Sequence, residues 1–332
     1  MTPAGAAGLG PWVVALGGGH GLSTTLRAAR RYAGRVTAVV SVADDGGSSG
    51  RLRQTFGIPA PGDLRRCLVA LAGARSVWAQ AFDHRFAAGE LEGHAFGNLV
   101  IAGLTEVMGD FVAAVEEAAR LLDVGGEVLP ATSGPVTLKA DVGGREVVGQ
   151  MRVADSRGPI TRVSIVPPDA PSPPAVAEAV AGADQVVLGP GSLFTSVLAT
   201  CVVPAVNAAL NARTGGRVFV CNLRPQAGET DGYRLADYLG ALAAHGVTVD
   251  AVVQDGAGAG RAQGAGAGDG VGGAPATGGG DAPGAAPASP RVVTAPVASG
   301  QQGGAGDAAG GHDVGRLARV LSSLAASGHL LP

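Results

Sequence analysis

The sequence predicts an α/β protein: a Rossmann-like, doubly wound, mostly parallel sheet with a small inserted β subdomain. Three turns predict it. An apolar run, residues 13–16, stops at Gly17-Gly18-Gly19-His20-Gly21, and a helical pattern over residues 22–30 follows at once. A second run, residues 36–42, breaks at Ala43-Asp44-Asp45-Gly46-Gly47-Ser48-Ser49-Gly50. A third, residues 185–188, breaks at Gly189-Pro190-Gly191-Ser192 before another helical pattern. Strand, glycine-rich turn and helix in that order form the βα unit of a parallel sheet. Such turns lie outside the carboxyl ends of the strands, where open α/β sheets bind ligands.

After the first two units, Pro61-Gly62-Asp63 reads as a turn that delivers Asp63 as the N-cap of a helix over residues 64–72. Arg65 and Arg66 fall in its first turn, where the helix dipole disfavours cations, so a bound anion is their expected partner. Helices over residues 76–86, 97–108 and 111–122 follow, and His94, Phe96, Gly97 and Asn98 sit at the junction of the first two. The period then drops to two. Residues 127–130, 135–140, 146–153 and 160–166 read as short strands, with Asp141-Val142-Gly143-Gly144 as a hairpin turn. They form a β-rich subdomain over residues 127–166, either a lid on a ligand or an edge hairpin without ligand contact. Alternation returns with a helix at 173–181, the strand 185–188, a helix from 193, a strand at 217–221, a helix at 233–244, strands at 247–253 and 292–297, and a final helix at 313–326.

The expected domain is a single nucleotide-binding unit over residues 12–253 plus 291–328, preceded by a flexible N-terminus, residues 1–11. Residues 254–290 are almost wholly Gly, Ala, Pro, Asp and Gln, with Val271 the one large aliphatic side chain. Such a segment cannot bury enough apolar surface to offset its ordering entropy and is expected to be a disordered insertion.

Composition narrows the function classes. The formal net charge is −3, so no global field draws nucleic acid or an anionic membrane, and neither is an expected partner. Charged residues make up 15% of the chain, below the usual quarter. Cys67, Cys201 and Cys221 lie far apart without metal or redox spacing and are expected to be buried thiols. Residues 1–11 show no basic region followed by an apolar segment, and no apolar run approaches the ~20 residues that span a bilayer, so a cytoplasmic location is expected.

The chemistry concentrates in the turns. In Gly17-x-Gly19-x-Gly21 the last glycine of a dinucleotide fingerprint is replaced by Leu22, which weakens an NAD-dependent oxidoreductase reading. The reason for glycine survives, because backbone amides approach a phosphate only where no Cβ intervenes. Asp44 and Asp45 have three readings: acceptors for ribose hydroxyls, Mg²⁺ ligands, or turn formers. Ser48 and Ser49 add hydroxyls suited to a sugar or phosphate. Gly189, Gly191 and Ser192 repeat the cradle from the other half of the sheet, with Thr195 and Ser196 one turn into the next helix. Asn222, Gln226, Glu229 and Thr230 form a polar loop at a further carboxyl end, suited to sugar or base. The histidines show no metal-ligand spacing, and His94 and His312 read equally well as hydrogen-bonded structural residues. A nucleophile elbow and a Walker lysine are both missing, so hydrolase and P-loop readings lack support.

Six stretches together resemble the YvcK-like gluconeogenesis factor family, of the CofD-like (2-phospho-L-lactate transferase) superfamily. They are Gly17-Gly18-Gly19-His20-Gly21-Leu22-Ser23, Asp44-Asp45-Gly46-Gly47-Ser48-Ser49-Gly50-Arg51-Leu52-Arg53, Pro61-Gly62-Asp63-Leu64-Arg65, His94-Ala95-Phe96-Gly97-Asn98-Leu99, Gly189-Pro190-Gly191-Ser192-Leu193-Phe194-Thr195-Ser196 and Gln226-Ala227-Gly228-Glu229-Thr230. The resemblance implies a cytoplasmic protein that binds a UDP-sugar, typically UDP-N-acetylglucosamine, and sustains cell shape and envelope synthesis during gluconeogenic growth. Gly18, Gly19, Gly21, Gly189 and Gly191 would then hold the diphosphate, and Asp44 and Asp45 would be the polar or metal-linked pair. The transferase branch instead implies a Mg²⁺-dependent phospholactyl transfer to a deazaflavin. Regulatory proteins of the cell envelope and a second copy of the chain are the implied macromolecular partners. Three positions depart from the family pattern: His20 replaces a threonine, Gly311 precedes His312-Asp313 in place of an arginine, and Val314 stands where some members carry a phosphorylatable threonine.

Overall fold

A computed structural model of the chain describes residues 10–73, 76–256, 289–299 and 311–327. At its centre is β1 (Trp12–Gly17), in which Val13, Val14, Ala15 and Leu16 have no solvent exposure. A strand apolar on both sides must be covered on both sides, as a parallel sheet layered between helices allows. β1 pairs in parallel with β2 (Arg35–Val40) on one side and with β7 (Gln185–Leu188) on the other. Beyond β2 lies β3 (Glu127–Pro130), and beyond β7 lie β8 (Arg217–Val220), β9 (Ala251–Asp255) and β10 (Arg291–Ala295). The order β3-β2-β1-β7-β8-β9-β10 is parallel throughout, and the winding reverses between β1 and β7. That reversal is the switch point of a doubly wound fold and opens a crevice at the strands' carboxyl ends.

Helices cover the sheet. α1 (Gly19–Ala29) packs against α3 (Gly62–Leu71) and α12 (Val314–Ser327), and α8 (Pro174–Gly182) packs against α10 (Pro204–Ala212). A π-helical turn, Leu193–Leu198, runs into α9 (Ala199–Cys201) beside β1. α4 (Val77–Asp83), α5 (Phe96–Met108), α6 (Phe111–Leu121) and α11 (Leu235–Ala244) complete the layers. Among the described residues no single helix is long and apolar enough to cross a membrane. Cys67, Cys201 and Cys221 are buried free thiols, and burial pushes Cys201 and Cys221 up to about 12.

Several local expectations are corrected. Residues 127–130, assigned by period to the β subdomain, are β3 of the main sheet, because Val128 and Leu129 are buried beside β2. The inserted sheet is therefore three antiparallel strands, β4 (Thr137–Val142), β5 (Arg145–Val148) and β6 (Ile160–Val166), in the order β5-β4-β6. Residues 150–153 leave the strand pattern to form α7 (Gln150–Ala154), whose first amides, those of Gln150 and Met151, donate to the Asp45 carboxylate at 3.0 and 2.9 Å. The glycine-serine turn after β2 ends at Gly46, and α2 (Gly47–Phe56) begins there. Its Gly50 passes so close to the Asp45 carbonyl that a Cβ would collide with it. α3 starts two residues earlier than its pattern suggests, with Pro61 at the cap, so Asp63 lies inside the first turn and does not cap it. α10 opens on Pro204, a residue preorganised for that position, where the sequence shows only a valine- and alanine-rich stretch. Most of the expected insertion, residues 257–288, lies outside the described residues, as do residues 1–9 of the expected flexible N-terminus.

One histidine fastens the inserted sheet to the body. His245 Nε2, at the end of α11, accepts the Val163 N–H of β6 at 2.9 Å, while Nδ1 bonds the Ala241 carbonyl at 2.7 Å. Nε2 therefore carries the lone pair and Nδ1 the hydrogen. Burial, aided by Arg162, holds the imidazole below its ordinary value of 6.5. A folded value below the unfolded one contributes stability that is complete above the unfolded value and lost as pH falls through the folded one. His245→Phe is thus expected to lower stability by about 1 kcal/mol at pH 7.5. Urea denaturation at a series of pH values should show this difference shrinking towards pH 5, and a pH-independent difference would exclude the imidazole as its source.

Candidate functional site

The crevice at the switch point is a cavity of about 490 Å³. Its floor is made by helix ends. The chain leaves β1 through Gly17 (φ +145°) and enters α1 through Gly19 (φ +66°), both in backbone regions that side chains rarely adopt. Gly18 is the cap residue of α1 and Gly46 that of α2, and neither end has a side-chain cap. First-turn residues of both helices, Gly19, His20 and Gly21 from α1 and Gly47, Ser48 and Ser49 from α2, line the cavity. Two helix N-termini without side-chain caps converging on one space give it positive potential and N–H donors. The third glycine has a different task, because a Cβ on Gly21 would strike the carbonyl of Pro190 in the opposite turn.

The far wall is held by groups that do not face the cavity. The buried Glu229 carboxylate accepts the Phe194 N–H at 3.1 Å and the Thr195 hydroxyl at 2.5 Å, capping the π-helical turn from below. Asn222 clamps Gly191, accepting its N–H at 3.0 Å and donating to its carbonyl at 2.9 Å. Thr230, fully buried, accepts the Gln226 N–H at 2.8 Å and the Tyr238 hydroxyl at 3.2 Å. The Gln226 side chain reaches the cavity and donates to Ser192 Oγ at 2.6 Å.

The near wall carries the charge. Asp44 accepts the Gly46 N–H at 3.0 Å, and burial, reinforced by the neighbouring Asp63, pushes its carboxyl up. Asp63 pairs with Arg66 at 2.7 Å. Arg65, expected to await an anion, is buried and forms an ion pair with Asp83. Arg85 completes a set of three guanidinium groups on the wall. Asn98 donates to Ser48 Oγ at 3.0 Å, and Ser48 is also bonded to His94 Nδ1 at 3.1 Å. His94 is held below its ordinary value by burial and by Arg51 and Arg85.

Among the described residues, three buried side-chain polar atoms have no hydrogen-bond partner: Arg65 Nε, Asn98 Oδ1 and Gln150 Oε1. All three residues line this cavity. Native interiors pair almost every such atom, so their concentration in one place marks a surface shaped for a polar ligand.

Of the residues expected from sequence, the cavity brings together Gly18, Gly19, His20, Gly21, Asp44, Ser48, Ser49, Asp63, Arg65, Asn98, Gly191, Ser192, Thr195 and Gln226. Gly189, Asn222, Glu229 and Thr230 stand behind it as supports. Asp45 is also absent from the lining, so the expected Asp44–Asp45 metal pair is not formed; the carboxylate beside Asp44 is that of Asp63. Ser41, Arg85, Gln150 and Met151 are additions. Gln150 carried no signal, because it sits in a strand-like pattern and reaches the site only through the Asp45 contact.

The profile of the family described as 2-phospho-L-lactate transferase CofD matches residues 13–262. This chain belongs to that family. A relative from Bacillus subtilis (strain 168), named gluconeogenesis factor, is 40% identical over 237 residues, covering 71% of this chain and 75% of the relative. A relative from Nostoc sp. is 43% identical over 235 residues, and the match spans 70% of this chain and only 52% of that longer protein. A crystal structure of a upf0052 family member from Bacillus halodurans superposes with a TM-score of 0.79 at 32% identity, covering 94% of this chain and 98% of that one.

Support residues and site residues should separate by stability. Glu229→Ala leaves the Phe194 N–H and Thr195 hydroxyl without their charged acceptor and is expected to destabilise the fold by roughly 2 kcal/mol in urea titration. Asp44→Asn removes a charge that burial and Asp63 disfavour, so the thermal midpoint at pH 7 should stay level or rise. A clear fall would mean that Asp44 is itself a support.

Proposed function

We propose that this chain is a nucleotide-sugar-binding regulatory protein that serves as a gluconeogenesis factor, with UDP-N-acetylglucosamine or a close relative as its ligand. The observation that carries this reading is the mixed character of the cavity wall. Two helix N-termini and three arginines suit a diphosphate. Asp44, Ser48, Asn98 and Gln150 supply acceptors and hydroxyls suited to sugar rings. A bare phosphate would leave the second group unmatched. The name gluconeogenesis factor borne by the relatives from Bacillus subtilis and Halalkalibacterium halodurans supports the physiological setting. A role in cell shape and envelope synthesis in the cytoplasm, exercised through envelope regulatory proteins or a second copy of the chain, follows from the same family resemblance.

The second reading is a Mg²⁺-dependent phospholactyl transferase, favoured by the family description and by the Asp44–Asp63 pair. Mg²⁺ characteristically takes one or two carboxylates and completes its shell with substrate phosphates and water. Asp44, whose charge burial and the neighbouring Asp63 disfavour, lines the diphosphate cradle together with Asp63, and the two fit that ion as its holders. The ion would neutralise phosphate charge there.

Calorimetry at physiological salt tests the first reading. Saturable binding of UDP-N-acetylglucosamine is expected, weakened at least tenfold by Gly18→Ala, whose Cβ would strike the Asp63 carboxylate beneath the α1 amides. No saturable binding of any UDP-sugar would sink the reading. Turnover of a phospholactyl donor with a deazaflavin acceptor, lost in Asp44→Asn, would establish the second in its place.

A further inference from the structure

We infer that Gln150, carried by the inserted sheet, is a specificity-determining residue that accepts a hydrogen bond from a sugar-ring hydroxyl of the ligand, with Asn98 as its counterpart in the same cavity. The inference rests on the nucleotide-sugar reading and extends it to a residue outside every motif in the chain. Asn98 is 2% exposed; its Nδ2 is taken by Ser48, and its Oδ1 has no protein partner. Gln150 Oε1 is likewise buried and without one. Both side chains line the same cavity. A buried acceptor without a donor is unfavourable, and a fold retains one where a ligand provides the donor. Phosphate oxygens cannot provide it, because an ionised phosphate only accepts. A hydroxyl donates and accepts together and so satisfies a carboxamide in either orientation.

Gln150 is also held firmly enough to discriminate. Its own N–H and that of Met151 are fixed by the Asp45 carboxylate at 3.0 and 2.9 Å. The Met151 thioether lies against Gly46, where a Cβ would come within 2.8 Å of the sulfur. α7 is thereby seated on the turn after β2, the place at which doubly wound folds receive a sugar ring. Asp45, read from sequence as a ligand or metal residue, acts here as a positioning residue for Gln150.

The chemistry identifies a sugar-ring hydroxyl, which a nucleoside diphosphate sugar offers on its ribose and on its hexose. The test titrates UDP and UDP-N-acetylglucosamine into the wild-type chain and into Gln150→Leu, which keeps the backbone amide and fills the same volume with an apolar group. Affinity is expected to fall three- to tenfold for the variant. A fall already present with UDP assigns the hydroxyl to the ribose; one seen only with UDP-N-acetylglucosamine assigns it to the hexose. The thermal midpoint of the free variant should be level or higher, because the replaced acceptor has no partner in the free protein. Gln150→Ala, read the same way, guards against a misfit of the leucine. Equal affinities of wild type and both variants for both ligands would overturn the role of Gln150 and leave the nucleotide-sugar reading standing. A wild type without saturable binding of either ligand would overturn both.

Discussion

Everything at the site depends on how closely two turns approach each other at the switch point. The turn after β1 and the turn after β7 touch where Gly21 meets the Pro190 carbonyl. Two buried threonines tie the same junction, Thr25 donating to the Gly189 carbonyl at 2.7 Å and Thr200 to that of Gly17 at 3.2 Å. The first satisfies the Gly189 carbonyl just beyond the end of β7, and the second adds to the Ser41 N–H that the Gly17 carbonyl already accepts at 2.9 Å. Parallel pairing of β1 with β7 places the two turns side by side, and the missing Cβ lets them close. A larger residue at position 21 would separate the α1 amides from the Ser192–Thr195 wall.

Around that junction the molecule divides its polar residues between two tasks. Glu229, Asn222, Thr230 and Asp45 spend their hydrogen-bonding capacity within the protein, each bonding at least one backbone group and so fixing a turn or helix start that borders the cavity. Asp44, Arg65, Asn98 and Gln150 keep capacity unspent or charge disfavoured, and each faces the cavity. Polar groups held in a low-dielectric wall without full partners lower the stability of the free protein and raise the gain on binding. The inserted sheet joins this division through α7, and its attachment at His245 fixes the wall to the body of the fold.

The turns that announce the fold in the sequence also line the site, because glycine is required at both levels: for the sharp exit from a strand and for the bare backbone beneath a ligand. For this reason the Gly17–Gly21, Asp44–Ser49 and Gly189–Ser192 stretches are legible in the sequence as the edge of the site. Asp44 and Asp45, adjacent and chemically identical, could not be told apart. One points into the cavity and the other caps a helix that follows it by more than a hundred residues, a contact with no local trace. Glu229 and Thr230 looked like ligand groups for the same reason. A polar residue at a carboxyl end is needed equally to bind and to brace, and only its neighbours in space decide which.

The sequence by itself determined the α/β alternation, the parallel sheet and the edge on which a ligand would sit, because those follow from apolar period and from glycine at strand exits. It determined the family through the same stretches. The tertiary structure alone decided which strand joined which sheet, with β3 passing from the inserted subdomain to the main one. It alone decided that Asp63 rather than Asp45 stands beside Asp44, and that Gln150 reaches the cavity. Each of these turns on burial and on hydrogen bonds between residues distant along the chain, and neither quantity is written in a local pattern.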